Sequence, residues 1–579
     1  MKNQDVARIF NSIADLLEIK GENPFRIRAY RRASQNIDGL TKDVSELTKE
    51  QLIEIPGIGT DLAGKITEIV KTGILKDYEE LKETVPEGLT LLLTVPGLGP
   101  KTAKLLYEKL KIKDISELEG LARQHKLIGL SGIKEKTEEN ILRGIEMLKR
   151  GRDRYPLGRI LPLTEDIIRH LREKAPVEDL CVAGSVRRWK DTVKDIDILA
   201  TSQEPKKVMS IFVHLPHVRD ILSQGQTKSS VVLEEGIQVD LRVVEKTSFG
   251  AAIAYFTGSK EHNIRLREMA QKAGLKINEY GVFREKDGHR IGGEKEEDIY
   301  RVLGLPYIPP ELREDTGEIE AAMEGRLPEL VGIKDIKGDL HVHSKWSDGS
   351  HSFEELAKTA KDKGYEYIAI TDHSKGLAVA RGLSEKRLLD EINEIDSLNK
   401  KLRGIKLLKG IEVDIRSDNT LDFPDEILKR LDIVVASIHS GFRQSREKLT
   451  SRLISAMENP YVTVIAHPTG RLIGQRDAYD VDMPVLLKTA KETVTALEIN
   501  AYPLRLDLND TYVKQAKALS IPIAIGTDTH ILSHFDYMSY GVSIAKRGWL
   551  EKKDVINTLS LSQITGFLKK KKTSHQNST

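Results

Sequence analysis

Over the first 150 residues, apolar positions recur at helical spacing in short runs cut by glycine-containing turns, which predicts a string of short helices. One pattern repeats there: IPGIGTDLAGKI at 55–66 and VPGLGPKTAKLL at 95–106, with a weaker copy, LSGIKEKTEENI at 130–141, that carries Lys134 at the second glycine. From about residue 155 strand-length apolar runs take over: LCVAGSV (180–186), DIDILA (195–200), VVLEE (231–235) and IQVDLRVV (237–244). Helix-like stretches alternate with them, so this region reads as mixed α/β. Residues 311–337 are acidic at first and then carry Gly and Pro, a linker with some helix in it. Residues 338–566 repeat a strand-then-helix rhythm, with candidate strands DLHVH (339–343), YIAIT (367–371), KLLKGIE (406–412), DIVVASIH (432–439), VTVIAH (462–467), TALEIN (495–500) and PIAIGTD (522–528). Seven such strands predict a parallel barrel related to the TIM design. The lysine run from Lys569, followed by polar residues, predicts a disordered basic tail.

The 579 residues suffice for about three to five domains at the usual ~100–200 residues each. A net charge of +2 means that any nucleic-acid site must be local rather than a property of the whole surface. Cys181 is the single cysteine, so no disulfide framework is possible, in keeping with a reducing cytoplasm. The N-terminus mixes acids with helical apolar spacing, unlike a signal or transit peptide. No apolar run approaches the ~18 residues that a spanning helix needs. These features lead us to expect a soluble protein with no membrane partner.

The repeated glycine pattern has a phosphate chemistry. Gly57 and Gly59 in the first copy, and Gly97 and Gly99 in the second, allow a tight turn that brings backbone N–H groups and a helix N-terminus toward a phosphate. The pattern resembles the helix–hairpin–helix motif, which grips DNA backbone without reading sequence. A single copy could be a packing device; two good copies 40 residues apart point to DNA. NPFRIRAYRRA (23–33) gathers Arg26, Arg28, Arg31 and Arg32 around Phe25 and Tyr30, either a solvated charged face or a site for a DNA 5′-phosphate.

In GSVRRWKDTVKDID (184–197), the Gly184–Ser185 turn after a strand offers donors to phosphate, and Arg188 adds a planar fork. Asp195 and Asp197 alternate along a strand and therefore share a face. Asp240, in IQVDLRVV, can join them from a neighbouring strand. Three such carboxylates can hold two Mg2+ or Mn2+ ions about 4 Å apart.

These residues make the first ~315 positions resemble the DNA polymerase beta family (family X). The match implies that Gly184, Ser185 and Arg188 bind a triphosphate and that Asp195, Asp197 and Asp240 bind metal and catalyse nucleotide addition. YFTGS (255–259) matches the family segment in which Tyr255, Phe256 and Gly258 pack against the incoming sugar and favour deoxynucleotides. Asn263 and Arg267 follow at the family's spacing, facing the nascent base pair, and INEYGVF (277–283) continues the match. Two departures stand out. Gln238 replaces a basic residue common two positions before the third aspartate. Lys65 matches the lyase Schiff-base lysine, but Asp61 replaces its supporting lysine and Gly64 an expected acid, so Lys65 reads equally as a solvated helix lysine.

The last third carries a second constellation: His341 and His343 (HVH), Asp348 (WSDG), His373 (TDH), Glu412 (GIEVD), His439 (SIH), His467 (AHP), and Asp528 and His530 (TDTH). Almost all lie at C-terminal ends of candidate strands, where barrel sites are built. Imidazole with carboxylate and no thiolate suits Mn2+, Zn2+ or Fe2+. The segment resembles the polymerase and histidinol phosphatase (PHP) family, a distorted seven-stranded barrel with three metals, and all nine ligand positions are filled. The resemblance groups His341, His343, Glu412 and Asp528 on one ion, Glu412, His439 and His467 on a second, and Asp348, His373 and His530 on a third.

Together these resemblances imply helix–hairpin–helix domains (1–85 and 86–154), an α/β nucleotidyltransferase palm (155–245), a thumb-like subdomain (246–314), a linker (315–337), a distorted (β/α)7 PHP barrel (338–568) and a basic tail (569–579). They imply a monomeric, cytoplasmic, nucleoid-associated repair polymerase of the bacterial or archaeal type. It would act on gapped or primer–template DNA with a 5′-phosphate and on dNTPs, with a PHP 3′–5′ exonuclease or abasic-site endonuclease using up to three Mn2+ or Zn2+ ions. A DNA-binding scaffold with vestigial centres and a phosphatase for small phosphate esters are the alternatives. The intact ligand sets argue against the first, and the attached hairpins against the second.

Overall fold

The computed structural model describes residues 3–574 apart from 39–43, 45–46, 56, 94, 96–97, 113, 131–132, 136, 140, 143 and 147–153. The N-terminal region is helical, as its spacing predicts. Helix Asn3–Lys20 packs on Pro24–Asp38, and Phe10, Ile13, Leu17, Tyr30, Ile58 and Ile66 close one core. Leu16 and Ile19, on another flank of the same first helix, join Leu89, Leu92, Leu98 and Leu106 in a second core. One helix thus serves both hairpin regions.

The palm is a five-stranded sheet in the spatial order Leu180–Val182, Asp195–Ala200, Gln238–Val243, Lys228–Leu233, Val218–Gln224. Its two central strands run parallel, which sets Asp197 opposite Asp240 and Asp195 opposite Gln238. Ile196 and Ile198 face the other way, into a core shared with helices Leu157–Lys174 and Pro205–Val213, so the alternation of the strand lifts the acids out of the apolar layer. The edge strand Val218–Gln224, mostly exposed, was not anticipated. The thumb follows as helices Phe249–Thr257 and Lys260–Lys272 with a small antiparallel sheet.

The last third forms eight short parallel strands in two sheets rather than seven. KLLKGIE divides into Lys406–Lys409, which ends the first sheet, and Glu412–Asp414, which begins the second. The break falls at Gly410, where a Cβ would stand 2.5 Å from the carbonyl oxygen of Ile370. Isolated parallel bridges, Val342 to Thr529 and His373 to Glu412, join the two sheets.

Two expectations need correction. The basic tail is ordered through Ser574, in helix Leu561–Ser574. Ile564 and Leu568 bury against Leu340, Tyr367 and Ala496 beneath the strands, and Lys571 donates to the Thr493 carbonyl and to Thr495 Oγ1. The linker is likewise packed: Ile319 and Ala322 enter the thumb core, and Val331 and Ile336 enter the core that runs without interruption from palm to barrel. At the palm–barrel junction, a Cβ on Gly158 would lie 2.1 Å from Cβ of Pro503, and Arg471 pairs with Asp191 at 3.0 Å. No helix among the described residues is long and apolar enough to cross a membrane.

Candidate functional site

In the palm, Gly184 opens the short helix Gly184–Arg187 at φ 63°, and a Cβ there would come within 2.5 Å of Asp197 Oδ2. Glycine therefore serves both the turn and the approach of the carboxylate. Asp195, Asp197 and Asp240 are half-buried on one face of the two central strands. Burial first, and then the carboxylates of Asp195 and Asp240, push Asp197 up to about 7. Burial and Asp240 push Asp195 up as well. A cluster of three acids whose negative charge raises the proton affinity of Asp195 and Asp197 forms a site for cationic charge, and its oxygen-only donor set fits hard divalent ions. Gln238 donates to Asp240 Oδ1 at 2.8 Å, so at this position an amide, not a cation, fixes the third acid.

Arg188 lies beside the turn with Nε on Glu314 at 3.0 Å and Nη1 on the Thr257 carbonyl. Gly258 is held close to it, with a virtual Cβ 3.1 Å from Arg188 Nη1. Tyr255 and Phe256 meet edge to face at 5.1 Å. Asn263 donates to the Tyr255 carbonyl at 2.7 Å, and Arg267 Nε to that of Asn263 at 3.2 Å. Sequence reasoning missed the clamp behind the turn: Arg187 forks onto Glu296 at 2.6 and 2.7 Å, and the buried Arg313 joins Glu296 at 2.6 Å. The partners lie over 100 residues apart, and no local pattern announces them.

Among the hairpin residues, Gly59 and Gly99 are the N-caps of helices Thr60–Thr72 and Pro100–Leu110, neither of which has a side-chain cap. Their first-turn N–H groups are thus positioned for an outside acceptor. Gly57 has φ 83° and lies against the Arg32 side chain, whereas Gly97 falls outside the described residues. Arg28 rests 4.7 Å over the Phe25 ring, and both it and Arg32 are exposed. Arg31 is bound to Asp15 at 2.9 Å and Glu18 at 2.7 Å, which joins the first two helices. Lys65 donates to Tyr30 at 2.8 Å and pairs with Asp77 at 2.7 Å. Although burial opposes it, these partners raise its pKa, the reverse of what a nucleophilic amine needs.

In the barrel all nine expected ligands converge. Glu412 is at the centre, with His373 at 2.9 Å, His467 at 3.1 Å, His439 at 3.3 Å, His341 at 3.4 Å and His343 at 3.7 Å. Asp528 meets His343 at 3.2 Å, and Asp348 meets His530 at 3.4 Å. Three groups have donor atoms close enough to share an ion: His343, Asp348, His373 and His530; His341, His343 and Asp528; His373, Glu412 and His439. Compared with the expected grouping, His343 and His373 each fall in two groups, Glu412 falls in one rather than two, and His467, 3.1 Å from Glu412, falls in none. Nε2 of His341, both ring nitrogens of His343 and Nδ1 of His373 are buried without a hydrogen-bond partner. Orphaned imidazole nitrogens beside carboxylates are a donor set suited to transition metals.

Burial disfavours charge on Glu412, yet His373, His439 and His341 hold its carboxyl well below the usual range. Against the same opposition, Glu412 and Asp414 lift His439 to about 9, and Asp348 and Asp528 lift His530 to about 9. His343, surrounded by His530 and His373 and fully buried, falls to about 4. Glu498 was missed by sequence reasoning. It lies 2.6 Å from His341 Nδ1 and accepts from the His467 backbone N–H at 2.8 Å, which turns Nε2 of His341 inward. Its signal is an acid between Leu497 and Ile499 in the buried strand Ala496–Asn500.

Comparison with known proteins places both sites in context. Residues 1–75 match the helix-hairpin-helix domain, 89–146 the SAM-like helix-hairpin-helix tandem, 252–314 the DNA polymerase beta thumb and 339–501 the PHP domain. The DNA polymerase/3′-5′ exonuclease PolX of Bacillus subtilis (strain 168) is 40% identical over 572 residues, 98% of this chain and 100% of that protein. DNA polymerase lambda of Rattus norvegicus is 26% identical over 343 residues, 54% of this chain and 56% of its own. A probable phosphatase of Thermoanaerobacter sp. (strain X514) is 31% identical over 253 residues, 40% of this chain and 95% of its own.

Proposed function

The chain belongs to the family of the DNA polymerase/3′–5′ exonuclease PolX, and from that premise we propose how its two centres divide the work. It is a gap-filling repair polymerase with a PHP exonuclease. The palm adds nucleotides, and the barrel shortens 3′ ends or opens abasic sites. The observation that carries this reading is the presence of two separate constellations in one chain, the acids Asp195, Asp197 and Asp240, and Glu412 with the six histidines and two aspartates gathered about it.

In the palm, Asp195, Asp197 and Asp240 would hold Mg2+ or Mn2+, which lowers the pKa of a 3′-hydroxyl and steadies the phosphates. Gly184 and Ser185 offer donors to the triphosphate, and Arg188 brings its guanidinium to the same oxygens. Tyr255, Phe256 and Gly258 would line the sugar side and crowd a 2′-hydroxyl there. Asn263 and Arg267 face the nascent pair. The hairpins at Gly57–Gly59 and Gly97–Gly99 hold the DNA backbone, with Arg28 and Arg32 toward a 5′-phosphate.

In the barrel, the nine ligands would hold Mn2+ or Zn2+, which supply an activated water and stabilise the departing oxygen. Glu412, central among these ligands, would help hold the ions, and Glu498 and Asp414 orient His341 and His439 from behind. On one gapped substrate, the purified chain should fill the gap when dNTPs are present and shorten the 3′ end when they are withheld. A chain that does neither with Mg2+ and Mn2+ supplied would defeat the reading.

A further inference from the structure

We propose that Arg547, a residue of the phosphoesterase barrel, is a positioning residue for nucleotide binding in the palm. It ends helix Met538–Arg547, and its side chain is 2% exposed. Its Nε and Nη2 bind Asp510 Oδ2 at 2.8 and 2.5 Å, within the barrel. Its Nη1 crosses the junction and makes two bonds, to the carbonyl oxygen of Arg188 at 2.7 Å and to Glu314 Oε1 at 2.9 Å. That same Glu314 oxygen accepts from Arg188 Nε at 3.0 Å. Arg547 therefore pins both the backbone of the phosphate-binding turn and the carboxylate that aims its arginine. The same helix contributes a second contact. Tyr540 packs edge-on against Trp189 at 5.7 Å, and Trp189, the residue after Arg188, has a left-handed φ of 54°. A left-handed tryptophan persists only where its surroundings hold it, and the barrel supplies that hold. Buried charge-assisted bonds of this kind are strong and directional, and a planar fork joining three acceptors has no equivalent in lysine.

The inference rests on Gly184–Arg188 being the nucleotide-binding turn. The test is primer extension by the full-length chain with dNTP titrated, beside 3′-end shortening without dNTPs. In Arg547→Ala the KM for dNTP should rise about tenfold, equivalent to ~1.4 kcal/mol. The kcat should change far less, end shortening should stay near the parent's, and Arg547→Lys should recover only part of the loss. A folded Arg547→Ala chain with the parent's KM overturns the proposal, and so does an equal loss of both activities. If the alanine chain does not fold, Asp510→Ala decides: a KM raised about threefold upholds the role, and an unchanged KM overturns it. A parent that extends no primer would sink the reading of the turn itself; a parent that extends while the variants keep its KM sinks only this inference.

Discussion

Asp197, half-buried, and Glu412, fully buried, are carboxyl groups at the hearts of their sites, and their surroundings drive them in opposite directions. Asp197 is pushed up to about 7 by burial and then by its two aspartate neighbours. Glu412 is ringed by imidazoles and is held well below the carboxylate range. The palm thus gathers uncompensated negative charge that calls for cations from outside, whereas the barrel balances its charges internally. This difference teaches that two centres with related chemistry need not be loaded in the same way. We expect the oxygen-lined palm to take ions that come and go with a nucleotide, and the histidine-rich barrel to retain its ions.

The largest expected effect separates the centres outright. Asp195→Ala combined with Asp197→Ala should cut nucleotide addition by more than about a thousandfold, ~4 kcal/mol of lost charge stabilisation, and leave end shortening nearly intact. His341→Ala or Glu412→Ala should do the reverse, with Glu412→Ala the more damaging. Both activities measured on one primer–template provide the check. If the aspartate pair also abolishes shortening, that activity is the polymerase site run backwards by pyrophosphorolysis, and the comparison collapses.

Gly184→Ala should come next. A side chain at φ 63° costs ~1–2 kcal/mol, and here it also displaces the Asp197 carboxylate, so extension should fall about ten- to a hundredfold without altering the barrel. Extension within twofold of the parent would show that the close approach of turn and carboxylate is dispensable.

Metal content sharpens the contrast directly. After exhaustive dialysis, elemental analysis should find transition metal in the Asp195→Ala, Asp197→Ala chain at the parent's level and much less in Glu412→Ala. Equal loss in both chains would mean that the barrel does not retain ions.

The smallest effect concerns DNA seen by the polymerase alone. Arg28→Ala with Arg32→Ala should reduce the preference for a 5′-phosphorylated gap severalfold at low salt. Arg31→Ala, whose guanidinium is already committed to Asp15 and Glu18, should instead lower the thermal stability of the helical region, by about 1–3 kcal/mol as judged from its unfolding transition. If Arg31→Ala alone erases the phosphate preference, the roles are reversed.

Much of both sites could be read from the chain because each ligand set arrives in short local motifs. KDID carries its geometry in the alternation of a strand, while HVH and TDTH sit at or just beyond the ends of strands Gly338–Val342 and Ile523–Gly526, ends recognisable from their apolar runs. What escaped was non-local or context-dependent. Gly410 splits an apolar run that reads as continuous, because only the fold reveals the Ile370 carbonyl pressed against it. The Arg187–Glu296 clamp and the Glu314 hold on Arg188 join residues over 100 positions apart. Strand Val218–Gln224 was invisible because both faces meet solvent, so its pattern lacks alternation. The lysine run at 569–572 looked like a tail because its charge masked Ile564 and Leu568 just before it.

The uninterrupted apolar core between palm and barrel has a consequence for heredity and for engineering alike. A chimera of two relatives cut between the two catalytic centres would inherit mismatched halves of a single interior. A crossover between two relatives that carry both centres therefore belongs ahead of Tyr155, where palm and barrel keep the interior they share.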